Sequence, residues 1–558
     1  IFTIILRRYF LMDEKKYKII RNPELWNEVF ELPNPNLSSW FDRVVSGDAN
    51  VVTTPFYGND SFENVLSRWL RVLTKEGIQS KWPGLMNHEL DMMSKVGPMS
   101  YQKPLSERMD DIESYYEGVL LPQVPIDERA IARFVAKWEQ AGCKFSRLWS
   151  IPKVLSEMKL STNSGSPFFT KRRFVVNKSI PTDVFVDTSG WPVVDYVNGE
   201  SRRAAAILGW RGQEGGPDIE DVKQRVIAMF PFSVNIMEAR AVMPVIREAQ
   251  KRNVITPWVN QLEAVDKKIT KLFETKDPDD LIICTDFSKF DQHFNESLQQ
   301  CAATVYEQLF PNGSGIADWL DDVFPVAFCI PYAIKWNSFI VGKHGMASGS
   351  FDTQAAETLA HSCLQEEVAL LNNQVLNPNS MCLGDDGILT YPGIKVDHIV
   401  QAYSSHGQVM NPSKQMASPD ECVFLRRWHH VDYKINGINV GVYPTMRALG
   451  KLMFMERWHD RWSAEDVAIR QLAIIEGCNT HPLFKEFVLF CVKGDKYRLG
   501  RDLPGFWRKI KSNSLGPRAK AFIKEHHPYA PDYTFTGATG EQKSISDWKV
   551  VRILDELR

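Results

Sequence analysis

The sequence predicts a mixed α+β enzyme with several lobes built as one body. Three observations carry this. Residues 281–430 alternate short apolar runs with helical stretches, helical spacing recurs before about 150 and again from about 430 to Gly500, and no long flexible linker separates the parts. A length of 558 residues fits three or four domain-sized units or one large enzyme. Hydrophobic residues at 44% and charged residues at 24% exclude wholesale disorder and collagen-like or coiled-coil character. The 66 Lys+Arg nearly cancel the 68 Asp+Glu, for a net charge of −2. That excludes a coat that binds nucleic acid by bulk charge, and leaves local basic surfaces open.

Residues 1–12 are apolar but broken by Arg7 and Arg8, and they lack the pattern of a secretory leader. The natural start is expected near Met12. Residues 62–73 (FENVLSRWLRVL) carry apolar side chains at helical spacing. The stretch from about 160 to 260 is loop-rich and basic, with Lys171, Arg172, Arg173, Arg202, Arg203, Lys223, Arg225, Arg240, Lys251 and Arg252. Nine scattered cysteines without a CxxC pair read as reduced thiols, neither a disulfide framework nor a zinc site. No apolar run approaches the ~18 residues of a membrane span.

The chemistry begins at Gly384-Asp385-Asp386-Gly387. Apolar runs on both sides predict a hairpin with two carboxylates at its tip. Alone this is weak, since Gly-Asp-Asp arises by chance in roughly one such sequence in ten and suits any solvated turn. About a hundred residues earlier the apolar run 281–285 ends in Asp286, and Asp291 follows five residues on. If Asp286 and the hairpin tip converge, three carboxylates share one site, and their repulsion calls for divalent cations between them. Two such ions would activate an attacking hydroxyl and stabilise a leaving pyrophosphate, the chemistry of nucleotidyl transfer.

Between these lie Ser348, Gly349 and Thr353, small residues running into a helical stretch, where backbone can approach a ligand closely. Upstream, Lys223 and Arg225 alternate on one face of an expected strand, positioned to clamp a triphosphate, although a solvated strand face reads the same way. Ser164 and Gly165 in TNSGSP precede Lys171, Arg172 and Arg173, a candidate template path.

In order, these segments resemble the motif set of the viral RNA-dependent RNA polymerases. TNSGSP (162–167), KQRVI (223–227), DFSKFD (286–291), SGSFDT (348–353), LGDD (383–386), NPSK (411–414) and FLRR (424–427) follow one another as that family's motifs G, F, A, B, C, D and E do. KVGPMS (95–100), KPLSERMDDIESYY (103–116) and SGSPFFTKRR (164–173) resemble the picobirnavirus polymerases, within the partitivirus-like group.

The resemblance implies a closed right hand: an N-terminal region (1–150) bridging fingers and thumb, fingers (151–280), palm (281–435, with a fingers insertion at about 296–344), and a thumb with a basic C-terminal segment (436–558). It implies Asp286, Asp385 and Asp386 as ligands of two Mg²⁺ (or Mn²⁺) ions. It gives Asp291 the ribose 2′-OH, Ser348, Gly349 and Thr353 the nucleotide and template, and Arg225 with Lys223 the triphosphate. Lys414 becomes the proton donor to pyrophosphate. Arg426 and Arg427 fall at the primer grip, beside RNA. One departure is Glu357, where many positive-strand relatives carry Asn. An acid beside Asp291 demands a proton, a water or a cation between them.

Residues 496–524 hold nine Lys/Arg against one acid, with Phe506 and Trp507 interleaved. Arg508, Lys509 and Lys511 are expected on RNA, with the rings available for stacking. The histidines, including His429, His430 and His459, show no ligand spacing. The resemblance implies RNA template and product, NTPs and a viral capsid protein as partners, no membrane, and a location in the virion interior and host cytoplasm. Two other readings stand beside it: a non-catalytic RNA-binding scaffold, and a reverse transcriptase. The retained carboxylates and Arg225 oppose the first. Asp291 and Leu383, where reverse transcriptases usually carry aromatic residues, oppose the second.

Overall fold

The computed structural model describes residues 17–120, 123–180, 182–259, 262–457, 462–516 and 544–557. Met12 and His459 lie outside the described residues.

A four-stranded antiparallel sheet carries the acidic motifs, in the order Met381–Leu383, Asp386–Leu389, Ile282–Thr285, Met416–Ser418. Ile282–Thr285 is buried along its whole length, as its apolar run predicts. The first two strands form the expected hairpin. Gly384 opens its two-residue turn with φ +59°, a conformation glycine adopts without a Cβ penalty. The sheet is covered on both faces, and alternate strand residues divide between them. Ile282, Cys284, Met381 and Ile388 meet the helix Leu262–Thr275 through Val265, Ile269, Leu272 and Phe273. Ile283, Leu383 and Leu389 join the larger core around the helix Thr353–Leu371. That helix is buried almost end to end, because it also packs on Glu128–Gln140 and Glu296–Leu309.

A second sheet runs in the order Lys18–Arg21, Ser338–Val341, Tyr332–Lys335, Ala206–Gln213, Lys223–Met229. Its strands come from three distant parts of the chain, and the pairing of Ala206–Gln213 with Tyr332–Lys335 is its parallel one.

Residues 17–100 connect this sheet to the C-terminal helices. Pro35–Ser46 lies against it, with Trp40 stacked on Trp210 at 4.9 Å and donating Nε1–H to Leu208 O at 3.0 Å. Phe62–Lys75 begins where the spacing predicts a helix. The Ser61 hydroxyl caps it by accepting from Asn64 N, and Val65, Leu66, Trp69 and Leu73 form its buried stripe. This helix and Pro83–Ser94 share a core with Thr445–Met453, Ala464–Glu476, Phe484–Gly494 and Lys549–Glu556. Val52–Thr53 pairs with Phe454–Met455 in the same region. All nine cysteines are free thiols. Among the described residues no helix is long and apolar enough to cross a membrane.

Candidate active site

Gly387 pairs with Thr285, so Asp386 and Asp286 stand side by side where two adjacent strands end, with Asp385 in the turn above them. Asp286 and Asp385 are exposed and Asp386 is half-buried. Burial, and then the Asp385 charge, push Asp386 up to about 7. Burial and the Asp291 charge raise Asp385. These are carboxylates held together against their repulsion.

No group of three His, Cys, Asp or Glu donors among the described residues is closed to metal-binding distance. The donor chemistry still fits a hard divalent cation. Carboxylates stand at adjacent strand ends, and a cation between them would relieve the repulsion that, after burial, raises Asp385 and Asp386.

Three further contacts fix the acids. Gln415 brackets the Asp286 backbone: its Oε1 accepts from Asp286 N at 2.8 Å and its Nε2 donates to Asp286 O at 2.8 Å. Asp386 Oδ2 accepts from Leu425 N at 2.8 Å, which ties it to the hairpin Glu421–Phe424/Arg427–His430. His361 lies beneath the turn, its Nδ1 2.8 Å from Gly384 O, and burial lowers its pKa to about 4, so the ring is neutral. A Cβ on Gly387 would come within 2.6 Å of that ring, so glycine is required there.

Beside the acids is a second cluster of polar side chains. Ser348 donates its hydroxyl to Asp291 Oδ2. Glu357 is buried in contact with Asp291, and burial, then Asp291 and Asp385, raise its pKa far above the carboxylate range. The shift favours the protonated acid, the form that its neighbourhood with Asp291 calls for. Tyr115, from the helix Met109–Glu117, joins them through a hydrogen bond with Ser348; burial and then Asp291 raise its phenol. Tyr115 and Gln415 escaped the sequence reading. Tyr115 lies in a helical stretch with no chemical motif of its own, and Gln415 follows NPSK without extending it.

Lys223 and Arg225 alternate on the exposed face of their strand. The Arg225 charge acts on both Glu357 and Asp385. Lys223 is lowered by burial and then by Lys95 and Arg426, which makes this a cationic corner suited to a polyphosphate. Thr353 Oγ1 donates to Ser350 O at 3.0 Å, inside the loop that Gly349 enters with φ +146°. Lys414 is exposed on the one-turn segment Pro412–Lys414.

Several expected RNA contacts need correction. Ser164 and Gly165 are buried. The Ser164 hydroxyl accepts from Thr170 N at 3.1 Å, and a Cβ on Gly165 would sit 2.1 Å from Phe230 O. Both face the loop interior, whereas Lys171 and Arg173 beside them are exposed. Arg172 is half-buried, with Nη2 donating to Asn235 Oδ1 at 2.6 Å. Arg426 is exposed at its hairpin tip, but Arg427 is 6% exposed and paired with Asp266 at 2.7 Å, while also donating to Gly441 O. Removing one partner of such a pair strands a buried charge. Asp266→Ala is therefore expected to lower unfolding free energy by about 3–5 kcal/mol in denaturant titration. Arg427→Met combined with Asp266→Leu, which removes both partners of the buried pair, is expected to leave RNA affinity unchanged; a fall in affinity of the folded double variant would restore the RNA contact.

Phe506 and Trp507 are also buried, in the core of the C-terminal helices, so neither ring is free to stack on a base. Lys509 pairs with Glu465 and Lys511 with Asp555, each at 2.7 Å, while Arg508 is exposed. Arg518, Lys520 and Lys524 lie outside the described residues. His429 is buried with Nδ1 3.1 Å from Asn439 O, a core histidine as its spacing predicts.

Residues 210–433 match the family profile described as viral RNA-dependent RNA polymerase. The chain is 47% identical over 543 residues to a protein named potential RNA-dependent RNA polymerase from human picobirnavirus (strain Human/Thailand/Hy005102/-), covering 96% of this chain and 99% of the relative. Its fold is similar to the crystal structure of the RNA-dependent RNA polymerase of a human picobirnavirus, with a TM-score of 0.89 at 46% identity, over 97% of this chain and all of that one. An insertion-loop deletion mutant of such a polymerase superimposes with a TM-score of 0.88 at the same identity and coverage.

Proposed function

The chain belongs to the viral RNA-dependent RNA polymerases, close to those of picobirnaviruses, and from that premise we propose a two-metal nucleotidyl transfer centred on Asp286, Asp385 and Asp386. The family implies divalent-metal dependence, and the finer reading is two Mg²⁺ or Mn²⁺ ions. The observation that carries it is the meeting of Asp286 and Asp386 at the ends of adjacent strands, with Asp385 in the turn above, its pKa raised by burial and then by Asp291. Bound there, the ions would activate the attacking 3′-hydroxyl and offset charge on the departing pyrophosphate.

The chain's own groups do the rest. Arg225 and Lys223 hold the triphosphate, and Asp291, Ser348 and a protonated Glu357 form the hydrogen-bonded set that reads the ribose 2′-OH. Gly349 and Thr353 shape the loop that supports nucleotide and template, and Lys414 returns a proton to pyrophosphate. Lys171, Arg173, Arg426, Arg508, Lys509 and Lys511 are exposed cations available to RNA. The subdomains follow the boundaries given above, with the N-terminal residues bridging the second sheet and the C-terminal helices. Synthesis begins without a primer, makes both strands of a segmented double-stranded RNA genome, and takes place in the capsid, against the capsid protein, and in the host cytoplasm.

The test is synthesis by purified protein on single-stranded RNA, with and without primer, in Mg²⁺ or Mn²⁺. No product in either metal would leave the scaffold reading. Product that requires a primer would remove primer-independent initiation. Asp291→Ala is expected to reduce discrimination between ATP and 2′-deoxyATP about 10–100-fold, the worth of a charge-assisted hydrogen bond. Unchanged discrimination in single-nucleotide incorporation would remove its ribose role.

A further inference from the structure

The loop 348–351 presents Ser348 to Asp291, yet what holds the loop comes from outside the motifs. The helix Phe232–Arg252 begins beside it, and Asn235 and Glu238, three residues apart, share one face. Glu238 is 1% exposed. Its Oε1 accepts from the Ser350 hydroxyl at 2.6 Å, and its Oε2 accepts from Phe351 N at 2.8 Å and Asn235 Nδ2 at 3.0 Å. Asn235 Nδ2 also donates to Gly349 O at 3.2 Å. Ala228 N donates to Ser348 O at 2.9 Å, so the strand Lys223–Met229 holds residue 348 and the helix Phe232–Arg252 holds 349, 350 and 351. Gly349 leaves no slack, because a Cβ there would come within 1.7 Å of Ala228 O. The chain of bonds extends outward. Arg172 Nη2 donates to Asn235 Oδ1 at 2.6 Å, Arg172 Nε donates to Asn163 O at 3.3 Å, and its guanidinium lies 5.1 Å from the Phe232 ring centre.

We infer that Arg172, Asn235 and Glu238 form a latch that positions Ser348 for ribose recognition and links the Lys171–Arg173 segment on the template side to the nucleotide pocket. The inference rests on the polymerase reading of that pocket. None of the three touches the nucleotide, so they are positioning residues. The network acts as a unit, since loss of one member leaves a buried donor or acceptor unpaired beside the loop. Its effect on the chemistry passes through Ser348, the hydroxyl bonded to Asp291.

The experiment is single-nucleotide incorporation on a primed RNA template, comparing ATP with 2′-deoxyATP, for the wild type, Asn235→Ala, Glu238→Leu and Glu238→Gln. RNA affinity and thermal midpoint are measured alongside. Asn235→Ala and Glu238→Leu are expected to narrow the ATP/2′-deoxyATP ratio about 10-fold, mainly through a higher KM for ATP. Glu238→Gln keeps an acceptor for Phe351 N and Asn235, and is expected to stay within about 2-fold of the wild type. Equal losses for both nucleotides, or an unchanged ratio in folded variants, would overturn the latch. Where Glu238→Leu fails to fold, Asn235→Ala and Arg172→Lys decide by the same ratio. A wild-type protein that incorporates neither nucleotide overturns the polymerase reading beneath it, which a variant-specific result cannot do.

Discussion

Asp385→Ala is expected to lower nucleotide incorporation by about 10³-fold or more while leaving RNA affinity near the wild-type value. The physical basis is the crowding of acids at the strand ends. Asp385 lies at the turn above the Asp286–Asp386 pair, raised by burial and by Asp291, and its own charge helps push Asp386 up to about 7. A side chain that only solvated a turn would be removed without consequence. One that completes a cation site would take the reaction with it. A second readout separates the two without relying on activity. Mg²⁺ or Mn²⁺ binding to the folded site should raise the thermal midpoint of the wild type, since a ligand that binds the native state stabilises it. In Asp385→Ala that increment should shrink, even though the metal-free variant has lost a repulsive charge and should melt no lower than the wild type. Full residual synthesis, or an undiminished metal-dependent midpoint, would remove Asp385 from the cation site.

What the sequence made legible follows local chemistry. The hairpin at 381–389 was readable because its turn needs glycine and its strands are apolar. The carboxylate at Asp286 was readable because it ends a buried run. The family resemblance then placed these segments in one site. What it hid depended on residues far along the chain. Arg427 reads as a free cation until Asp266, 161 residues away, closes on it. The stretch around 509–511 reads as unopposed positive charge because Glu465 and Asp555 lie outside the window. Phe506 and Trp507 look available for stacking because i and i+1 aromatics in a basic segment carry no sign of the core they enter. Glu357 reads in the sequence as an acid that needs a proton, a water or a cation beside Asp291. The answer, a raised pKa, needed the burial that only the packed helix Thr353–Leu371 supplies. Tyr115 shows the same limit from the other side, since a residue becomes part of a pocket through the fold and need not belong to a motif.

Glu89→Ala is expected to lower unfolding free energy by about 3–5 kcal/mol, as much as the loss of Asp266. Glu89 is fully buried on the helix Pro83–Ser94 and faces the first turn of Thr445–Met453. It accepts from Thr445 N at 2.8 Å, the Thr445 hydroxyl at 2.7 Å and Met446 N at 2.8 Å, while His481 Nε2 lies 3.1 Å away. One carboxylate thus satisfies amides at a helix N-terminus and joins residues 83–94 to two segments more than 350 residues later. Burial alone would raise its pKa, but the His481 contact, the Thr445 hydroxyl and the Met446 amide outweigh that and hold it below 4.5. A depressed carboxylate pKa fixes the sign of the pH dependence. The stabilisation is present above the ordinary value near 4.5 and is lost as pH falls through the lower folded value. The wild type should therefore lose stability on acidification below that point, and Glu89→Gln, which cannot titrate, should start lower and lose less over the same range. Denaturant titrations at pH 7, 5 and 4 check this. Equal pH slopes in the two proteins would show that Glu89 does not hold the N-terminal helices to the C-terminal ones. If it does hold them, Glu89→Ala should stop RNA synthesis at a temperature several degrees below that of the wild type, with its incorporation kinetics intact in the cold.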